Sequence, residues 1–344
     1  MPLPIRYPWE HVSTGQRLLF WGGVTHAPDE KGYDFSLGYP PGYPGYLGTA
    51  VVDGMAYDPE ADRWERIPPA PIPALGFEAS AVWTGHELLV WGPVPGTRSS
   101  AGALYHPATR QWRQMAAPGR LVLGQGMWAD DRFVVLGWDA DRRVIAEAYR
   151  PDTDQWTPLP APPVRDYQGL LAWTGPEVIA TDGYDMHDIV RWAPGDAQWR
   201  PTEPGPDADR VVHASFAISG RFVFQFGRSR QTEPPTDMLG PEPGMAVYDI
   251  HADDWWEAAE PPGGKDLRAA YSMWLDRMIY RPAPESSEAY AYDPEADRWK
   301  PASVPPRRDR PLVADDAVWS LTAPSHPDPG QPYVPATLER YGLE

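Results

Sequence analysis

The chain has 344 residues, 42% of them hydrophobic, which is enough for a large folded core, and a formal net charge of −18 at pH 7. That charge argues against nucleic acid or an anionic membrane surface as a partner, because both attract clustered Lys and Arg. The sequence contains no cysteine, so disulfides, thiolate metal sites and cysteine nucleophiles are excluded.

Proline and glycine are abundant, with 44 and 31 residues, and favour short strands joined by tight turns over long helices. Residues 1–20 lack a basic region followed by an apolar run, and no segment approaches the length of an apolar membrane span. We therefore predict an all-β protein in the cytoplasm, with no membrane segment.

A two-residue turn between β-prone runs recurs along the chain. The turns are Thr14-Gly15, Thr84-Gly85, Asp130-Asp131, Thr174-Gly175, Ser219-Gly220, Leu275-Asp276 and Asp315-Asp316. The runs after them are rich in branched and aromatic residues, as expected of strands covered on both faces.

After each of the first six turns, an aromatic residue is followed by Trp seven positions later. The pairs are Tyr57 and Trp64, Tyr105 and Trp112, Tyr149 and Trp156, Trp192 and Trp199, Tyr248 and Trp255, and Tyr292 and Trp299. The Trp residues are spaced by 48, 44, 43, 56 and 44 positions, in the range of four-stranded propeller blades. The segment "AYDPEADRW" occurs at 56–64 and again at 291–299, and predicts a hairpin in which Asp58 or Asp293 bonds to the turn backbone. Each Trp is predicted to pack against the neighbouring blade.

These repeats resemble the kelch-repeat β-propeller family, the group that includes galactose oxidase and the bacterial N-acetylneuraminate mutarotases. The paired glycines of that family remain at Gly22-Gly23 and are replaced in the other units. The resemblance covers essentially the whole chain and implies a single propeller domain over residues 1–344.

The ends of the chain bear on the number of blades. Tyr341 lies 49 residues after Tyr292, so the matching Trp would fall beyond the last residue. We predict seven four-stranded blades, the last completed by N-terminal residues; six blades with an accessory sheet are the alternative. The predicted blade segments are 5–70, 71–118, 119–161, 162–204, 205–261, 262–304 and 305–344.

The first strand of each unit is predicted to line a central channel, with a ligand site at its mouth. The register six positions before each turn holds Pro8, Glu78, Gly124, Gln168, His213, Ala269 and Asp309. Side chains alternate along a strand, so this register is expected to face the mouth. Two long loops, 24–54 and 228–244, have the length of lids, binding loops or disordered segments, and the tyrosine-rich loop 24–54 is predicted to be a lid over the mouth or a structural part of its rim.

Arginines recur just before the first strands. They are Arg6, Arg120, Arg165, Arg210, Arg268, Arg307, Arg308 and Arg310. A ring of guanidinium groups at the channel mouth is expected to bind a carboxylate or phosphate ligand through bidentate hydrogen bonds. Alternatively, these arginines pair with the neighbouring Asp166, Asp266 and Asp309 and tie blades together.

The eight histidines show no metal-ligand spacing, so we predict neither a metal nor another cofactor. Without cysteine, the copper-radical chemistry of galactose oxidase does not carry over to this chain.

Two functional hypotheses remain open. In the first, the channel mouth binds a small anionic molecule or a protein or peptide partner without redox chemistry. The ligand-binding residues would be Trp9, Arg165, Tyr167, Gln168, Arg268 and Arg308. In the second, which the resemblance to the mutarotases implies, the chain is a cofactor-free isomerase, epimerase or cyclase for a carboxylate-bearing molecule. Glu78 and His213 would then exchange protons. The sequence does not predict an oligomeric state.

Overall fold

The computed structural model describes residues 6–7, 10–25, 49–76, 79–182, 189–206, 211–230, 244–262, 270–274, 277–282, 288–302, 310–314, 317–322 and 337–341. All regular secondary structure in these ranges is β-strand. The chain divides into two compact units, residues 1–160 with 310–340 and residues 161–309 with 341–344.

The first unit contains three four-stranded antiparallel sheets, which we call blades 1, 2 and 3. Blade 1 consists of β2 (Glu10–Ser13), β3 (Leu18–Trp21), β6 (Gly54–Asp58) and β7 (Arg63–Ile67). Blade 2 consists of β8 (Ser80–Trp83), β9 (Leu88–Pro93), β10 (Ser100–His106) and β11 (Gln111–Gln114). Blade 3 consists of β12 (Leu123–Ala129), β13 (Arg132–Trp138), β14 (Val144–Arg150) and β15 (Gln155–Leu159).

The second unit contains blades 4, 5 and 6, which are also four-stranded and antiparallel. Blade 4 consists of β16 (Leu171–Trp173), β17 (Val178–Thr181), β18 (Ile189–Trp192) and β19 (Arg200–Pro201). Blade 5 consists of β20 (Val211–Ser219), β21 (Phe222–Arg230), β22 (Met245–Asp249) and β23 (Asp254–Glu257). Blade 6 consists of β24 (Ala270–Trp274), β25 (Arg277–Arg281), β26 (Tyr290–Asp293) and β27 (Arg298–Pro301).

Two further sheets have three strands each. One consists of β1 (Arg6–Tyr7), β4 (Val24–Thr25) and β5 (Thr49–Ala50), and the other of β28 (Arg310–Ala314), β29 (Ala317–Thr322) and β30 (Thr337–Tyr341). The six four-stranded sheets confirm the all-β class and the sheet architecture of a β-propeller. The blade number and the single domain stay predictions. So does the completion of the last sheet by N-terminal residues, since residues 1–5 lie outside the described ranges.

In the Thr-Gly turns between the first and second strands, the threonine hydroxyl oxygen accepts a main-chain N–H in place of a main-chain carbonyl. Thr14 Oγ1 accepts the N–H of Arg17 at 2.9 Å, and Thr84 Oγ1 accepts the N–H of Glu87 at 3.0 Å. The glycine that follows the threonine has a φ of 86° at Gly15 and 95° at Gly85, a region that strains residues with a side chain. The predicted turns are therefore confirmed here.

The repeated hairpin between the third and fourth strands is built around a left-handed residue five positions after the aromatic. These residues are Asp62, Arg110, Asp154, Asp253 and Asp297, with φ between 44° and 58°. Aspartate tolerates this region because its short carboxylate forms local bonds. The carboxylate accepts the tyrosine hydroxyl, at 2.9 Å for Tyr57 and Asp62, 2.7 Å for Tyr149 and Asp154, and 2.5 Å for Tyr292 and Asp297. As predicted, Asp58 and Asp293 bond to the turn backbone, at the N–H groups of Ala61 and Ala296.

In blades 2, 3, 5 and 6 the Trp at the end of the hairpin bonds to the preceding blade of its own unit. Its indole N–H donates to a main-chain carbonyl just after the preceding blade's outer strand. The four bonds are Trp112 to Pro68 at 2.7 Å, Trp156 to Ala116 at 2.7 Å, Trp255 to Glu203 at 2.9 Å and Trp299 to Ala259 at 2.8 Å. The indole therefore connects adjacent sheets by a directed bond.

The left-handed aspartate completes this connection in two blades. The N–H of Ala116 donates to Asp154 at 2.8 Å, and the N–H of Ala259 donates to Asp297 at 2.8 Å. In both cases a single alanine of the preceding blade donates its N–H to the aspartate, and its carbonyl accepts the indole N–H of the Trp. We call this pair of bonds the blade clamp.

Blade 2 lacks the clamp because the residue that accepts its Trp bond is a proline. Its Trp112 bonds to Pro68, which has no N–H to donate. The left-handed residue is Arg110, whose Nη2 donates to the carbonyl of Arg66 at 3.1 Å. Blades 1 and 2 thus keep a second hydrogen bond, but here the side chain of the left-handed residue donates and the main chain of the preceding blade accepts.

The core of each unit lies between the blades. In the first unit the second strands are buried from Leu18 to Trp21 and from Leu88 to Trp91, as the apolar runs predict. Trp112 packs on Trp21 with ring centroids 6.3 Å apart, and Trp156 packs on Trp91 at 6.0 Å. The predicted packing of Trp112 and Trp156 against the neighbouring blade is confirmed.

We expect Trp156→Ala to lower the free energy of unfolding by about 3–5 kcal/mol, because it deletes a large interblade side chain. Trp156→Phe keeps a ring but leaves the Ala116 carbonyl without its donor, so the loss should be smaller, about 1–3 kcal/mol. Chemical denaturation followed by circular dichroism measures both. A near-native midpoint for the alanine variant would contradict the interblade role.

Asp154 should make the clamp sensitive to acid. The N–H of Ala116 is the main cause that holds the pKa of Asp154 below its usual value, and the hydroxyl of Tyr149 adds to it. Because the folded-state pKa is the lower one, this stabilisation is present above the unfolded-state pKa and is lost as the pH falls through the folded-state value. Thermal melts should show Asp154→Asn less stable than wild type at neutral pH, with a difference that closes in acid. A difference that stays constant down to about pH 3 would contradict this account.

Candidate functional site

Four of the eight site residues predicted from the sequence lie outside the described ranges. These are Trp9, Glu78, Arg268 and Arg308. His213 lies in β20, at a point where the pairing with β21 shifts register on both sides. The predicted proximity of Glu78 and His213 stays a prediction.

Arg165, Tyr167 and Gln168 share the segment that leads into blade 4. Arg165 is exposed, and its N–H donates to Asp182, a carboxylate that is 5% exposed, at 2.8 Å. Tyr167 is buried, at 3% exposed, whereas Gln168 is exposed and its N–H donates to Asp166. The segment presents Arg165 and Gln168 to solvent, and their role in ligand binding stays a prediction.

An open cleft of about 430 Å³ lies in the first unit, at one end of blades 2 and 3. Three segments form it: the β9–β10 loop, the link from β11 to β12, and the β13–β14 loop. Its lining consists of residues 98–100, 117–122 and 139–141. In an antiparallel blade these connections share one end of the sheet, which we call the loop end, while the Thr-Gly turns and tyrosine hairpins occupy the opposite, hairpin end.

Internal hydrogen bonds hold the two loops of the cleft in shape. Asp139 Oδ1 accepts the N–H groups of Asp141 and Arg143, both at 2.9 Å. These bonds, with that from Arg143 the largest cause, lower the pKa of Asp139, and the positive charge of Arg120 contributes. In the β9–β10 loop, Thr97 Oγ1 donates to the carbonyl of Val94 at 2.7 Å.

Two arginines connect the parts of the cleft. Arg98 Nη2 donates to the carbonyl of Ala140 at 2.9 Å, which joins the loops of blades 2 and 3. Arg120 Nε donates to Glu147 Oε1 at 3.3 Å. The Arg120 side chain is 50% exposed, whereas that of Glu147 is 2% exposed and its Oε2 is buried without a hydrogen-bond partner. The cleft floor therefore covers a carboxylate with only one oxygen bonded.

Arg120 is one of the arginines that recur in the sequence, whereas Arg98, Asp139 and Glu147 were not predicted to be site residues. Glu147 could have been found from the repeat, because it stands two positions before the aromatic of its hairpin. The equivalent residues of the other blades are Met55, Ala103, Val190, Ala246 and Tyr290. None of these residues is charged. A single carboxylate among these uncharged residues is a signal that the sequence carries.

The buried tyrosine hydroxyls are structural rather than part of the cleft. Burial is the largest cause that raises the pKa of Tyr57 to about 12, and hydrogen bonding to Asp62 adds to the shift. Burial likewise raises the pKa of Tyr149, Tyr248 and Tyr292. These groups lie at the hairpin end of the blades, where their hydroxyls are occupied by the left-handed aspartates.

In the part of the chain that the structure describes, no three His, Cys, Asp or Glu residues are grouped so that they could bind a metal ion. The same ranges hold no helix with the length and apolar character needed to cross a bilayer.

Comparison with known proteins gives two similar sequences, whereas no family model matches the chain. A Kelch-like protein of Aspergillus terreus is 27% identical over 128 residues, which are 37% of this chain and 26% of the relative. An F-box/kelch-repeat protein of Arabidopsis thaliana is 28% identical over 123 residues, which are 34% of this chain and 27% of the relative. The matched region thus spans about a quarter of each relative's length. Together with the six four-stranded antiparallel sheets, these partial similarities support a β-propeller of the kelch-repeat type for this chain.

Proposed function

We propose that this kelch-repeat chain is an interaction protein that binds a protein partner at the loop end of blades 2 and 3. The observation that carries the proposal is the open cleft, whose rim holds arginine and aspartate on loops fixed by internal bonds. Rigid loops on a repeat scaffold are a common location for binding sites. Kelch-repeat proteins commonly bind protein partners.

The composition of the cleft supports a protein partner. Its floor is made of small and apolar residues, Ala117, Pro118, Gly119, Leu121 and Val122, and charged side chains stand around it. An apolar centre with a polar rim, and arginine among the contacts, is typical of protein interfaces. The aspartates and arginines at the rim would select the partner by charge complementarity.

Several finer hypotheses stay predictions. A small anionic molecule at Arg165, Arg268 and Arg308, and proton exchange between Glu78 and His213 in an isomerase, depend largely on residues outside the described ranges. The cytoplasmic location also stays a prediction.

Charge reversal at the loop end should remove the partner. In the variant Arg98→Glu/Arg143→Glu, two exposed rim arginines become acidic, so the contacts of the cleft change sign. The matched control is Arg63→Glu/Arg298→Glu, which changes the net charge equally at two exposed hairpin-end arginines. Each tagged protein is expressed in its host, cross-linked in the cell and compared by quantitative mass spectrometry.

We expect wild type and control to cross-link the same partner, and the cleft variant to lose about tenfold or more of it, since rim and hot-spot contacts control affinity. Equal recovery by the two double variants would contradict a partner at the loop end. Recovery by wild type that does not exceed that of an unrelated acidic protein would contradict an interaction function.

A further inference from the structure

The charged side chains of the cleft around Glu147 indicate the chemistry of the partner. We propose that the cleft binds a partner segment through a carboxylate, that Arg120 and Arg98 pair with this carboxylate, and that buried Glu147 is the positioning residue for Arg120. The inference deepens the proposed function and rests on it, because it assumes a partner at the loop end of blades 2 and 3.

Burial of the Glu147 carboxylate carries a desolvation penalty. It lies in β14 on the face that packs toward blade 2, in line with the buried Ile145 and Tyr149. A buried carboxylate loses its hydration. The single hydrogen bond of 3.3 Å from the half-exposed Arg120 guanidinium offsets only part of the free energy lost. The other blades place uncharged residues at this position, with methionine in blade 1. A residue that departs from its repeat at a cost in stability is expected at a functional site.

The position of Glu147 explains the orientation of Arg120. The carboxylate lies beneath Gly119, since a Cβ built on that glycine would come within 3.6 Å of Glu147 Oε1. Glu147 therefore holds the Nε side of the Arg120 guanidinium at the cleft floor. The two Nη groups of Arg120 form no hydrogen bond within the described part of the chain. Their donors remain available in the fork geometry that matches a carboxylate.

The sign of the ligand follows from which charges of the cleft are already engaged. Asp139 accepts two main-chain N–H groups, and Asp141 pairs with Arg143 at 3.3 Å. Arg98 uses one Nη2 bond to the carbonyl of Ala140, which orders its side chain without neutralising its charge. Arg98 thus keeps a charge that no carboxylate pairs with among the described contacts, and Arg120, although its Nε pairs with Glu147, keeps its two Nη donors, so these two side chains can donate to an anionic group.

A library of random peptides displayed on phage and selected on the purified full chain tests the proposal. The net charge of −18 repels acidic peptides at long range and favours basic ones. Enrichment of Asp and Glu in the selected peptides would therefore report a local site. The best peptides are then synthesised, and their dissociation constants are measured for wild type, Arg120→Gln, Glu147→Met and the hairpin-end control Arg63→Gln.

We expect enriched peptides to share a carboxylate and to bind Arg120→Gln about tenfold or more weakly than wild type, the size of one charge-assisted hydrogen bond. Arg63→Gln should bind them as wild type does. Glu147→Met should melt at or above the wild-type temperature, because an apolar side chain replaces an incompletely paired buried charge. It should nevertheless bind the peptides more weakly, since Arg120 is no longer held.

Three results would overturn the proposal. The first is a selection that yields no peptide, or peptides without an excess of carboxylates. The second is unchanged affinity of the peptides for Arg120→Gln. The third is a Glu147→Met variant that melts at a lower temperature than wild type but binds the peptides equally well. The last result would make Glu147 a purely structural residue. The proposed function is decided separately, because partner cross-linking that depends on Arg98 and Arg143 would survive each of these failures.

Discussion

The hydrogen bond from an outer-strand indole N–H to a main-chain carbonyl of the preceding blade governs how the sheets of each unit associate. Apolar side chains alone would allow two sheets to slide, because hydrophobic burial has no direction. The indole adds a fixed donor to a large apolar face. At Ala116 and Ala259 the left-handed aspartate takes the N–H of the same residue, so position and angle are both fixed. In blades 3 and 6 the Asp and the Trp of the repeated hairpin are thus the residues that form this clamp.

Departures from the repeat show where local conditions differ. At Pro68 the acceptor residue lacks an N–H, and the left-handed aspartate is replaced by Arg110, which donates to the chain instead. At Glu147 an uncharged position becomes a carboxylate, and an arginine of the cleft lies over it. The first departure is explained by the scaffold, because it restores an interblade bond. The second adds no comparable bond and coincides with the cleft, which is why we connect it with binding.

The fold was predictable from the sequence to the extent that it depends on local bonds. The Thr-Gly turns, the Asp58 and Asp293 turn bonds and the packing of Trp112 and Trp156 all follow from residues within one repeat or its neighbour. The acceptor carbonyls were not predictable, because a main-chain carbonyl carries no signal in the sequence. The cleft was missed for a similar reason, since segments from two blades meet there and only Arg120 had been noticed. The exchange of donor and acceptor at Pro68 also requires coordinates.

The most direct test of the interblade indole bonds is hydrogen exchange of the tryptophan indole N–H groups, followed by NMR on the full chain and assigned by single Trp→Phe substitutions. If the indoles bond to carbonyls of the preceding blades, the protons of Trp112, Trp156, Trp255 and Trp299 should exchange only when blades separate, far more slowly than a free indole. Exchange of these four protons at the rate of a free indole would contradict the account.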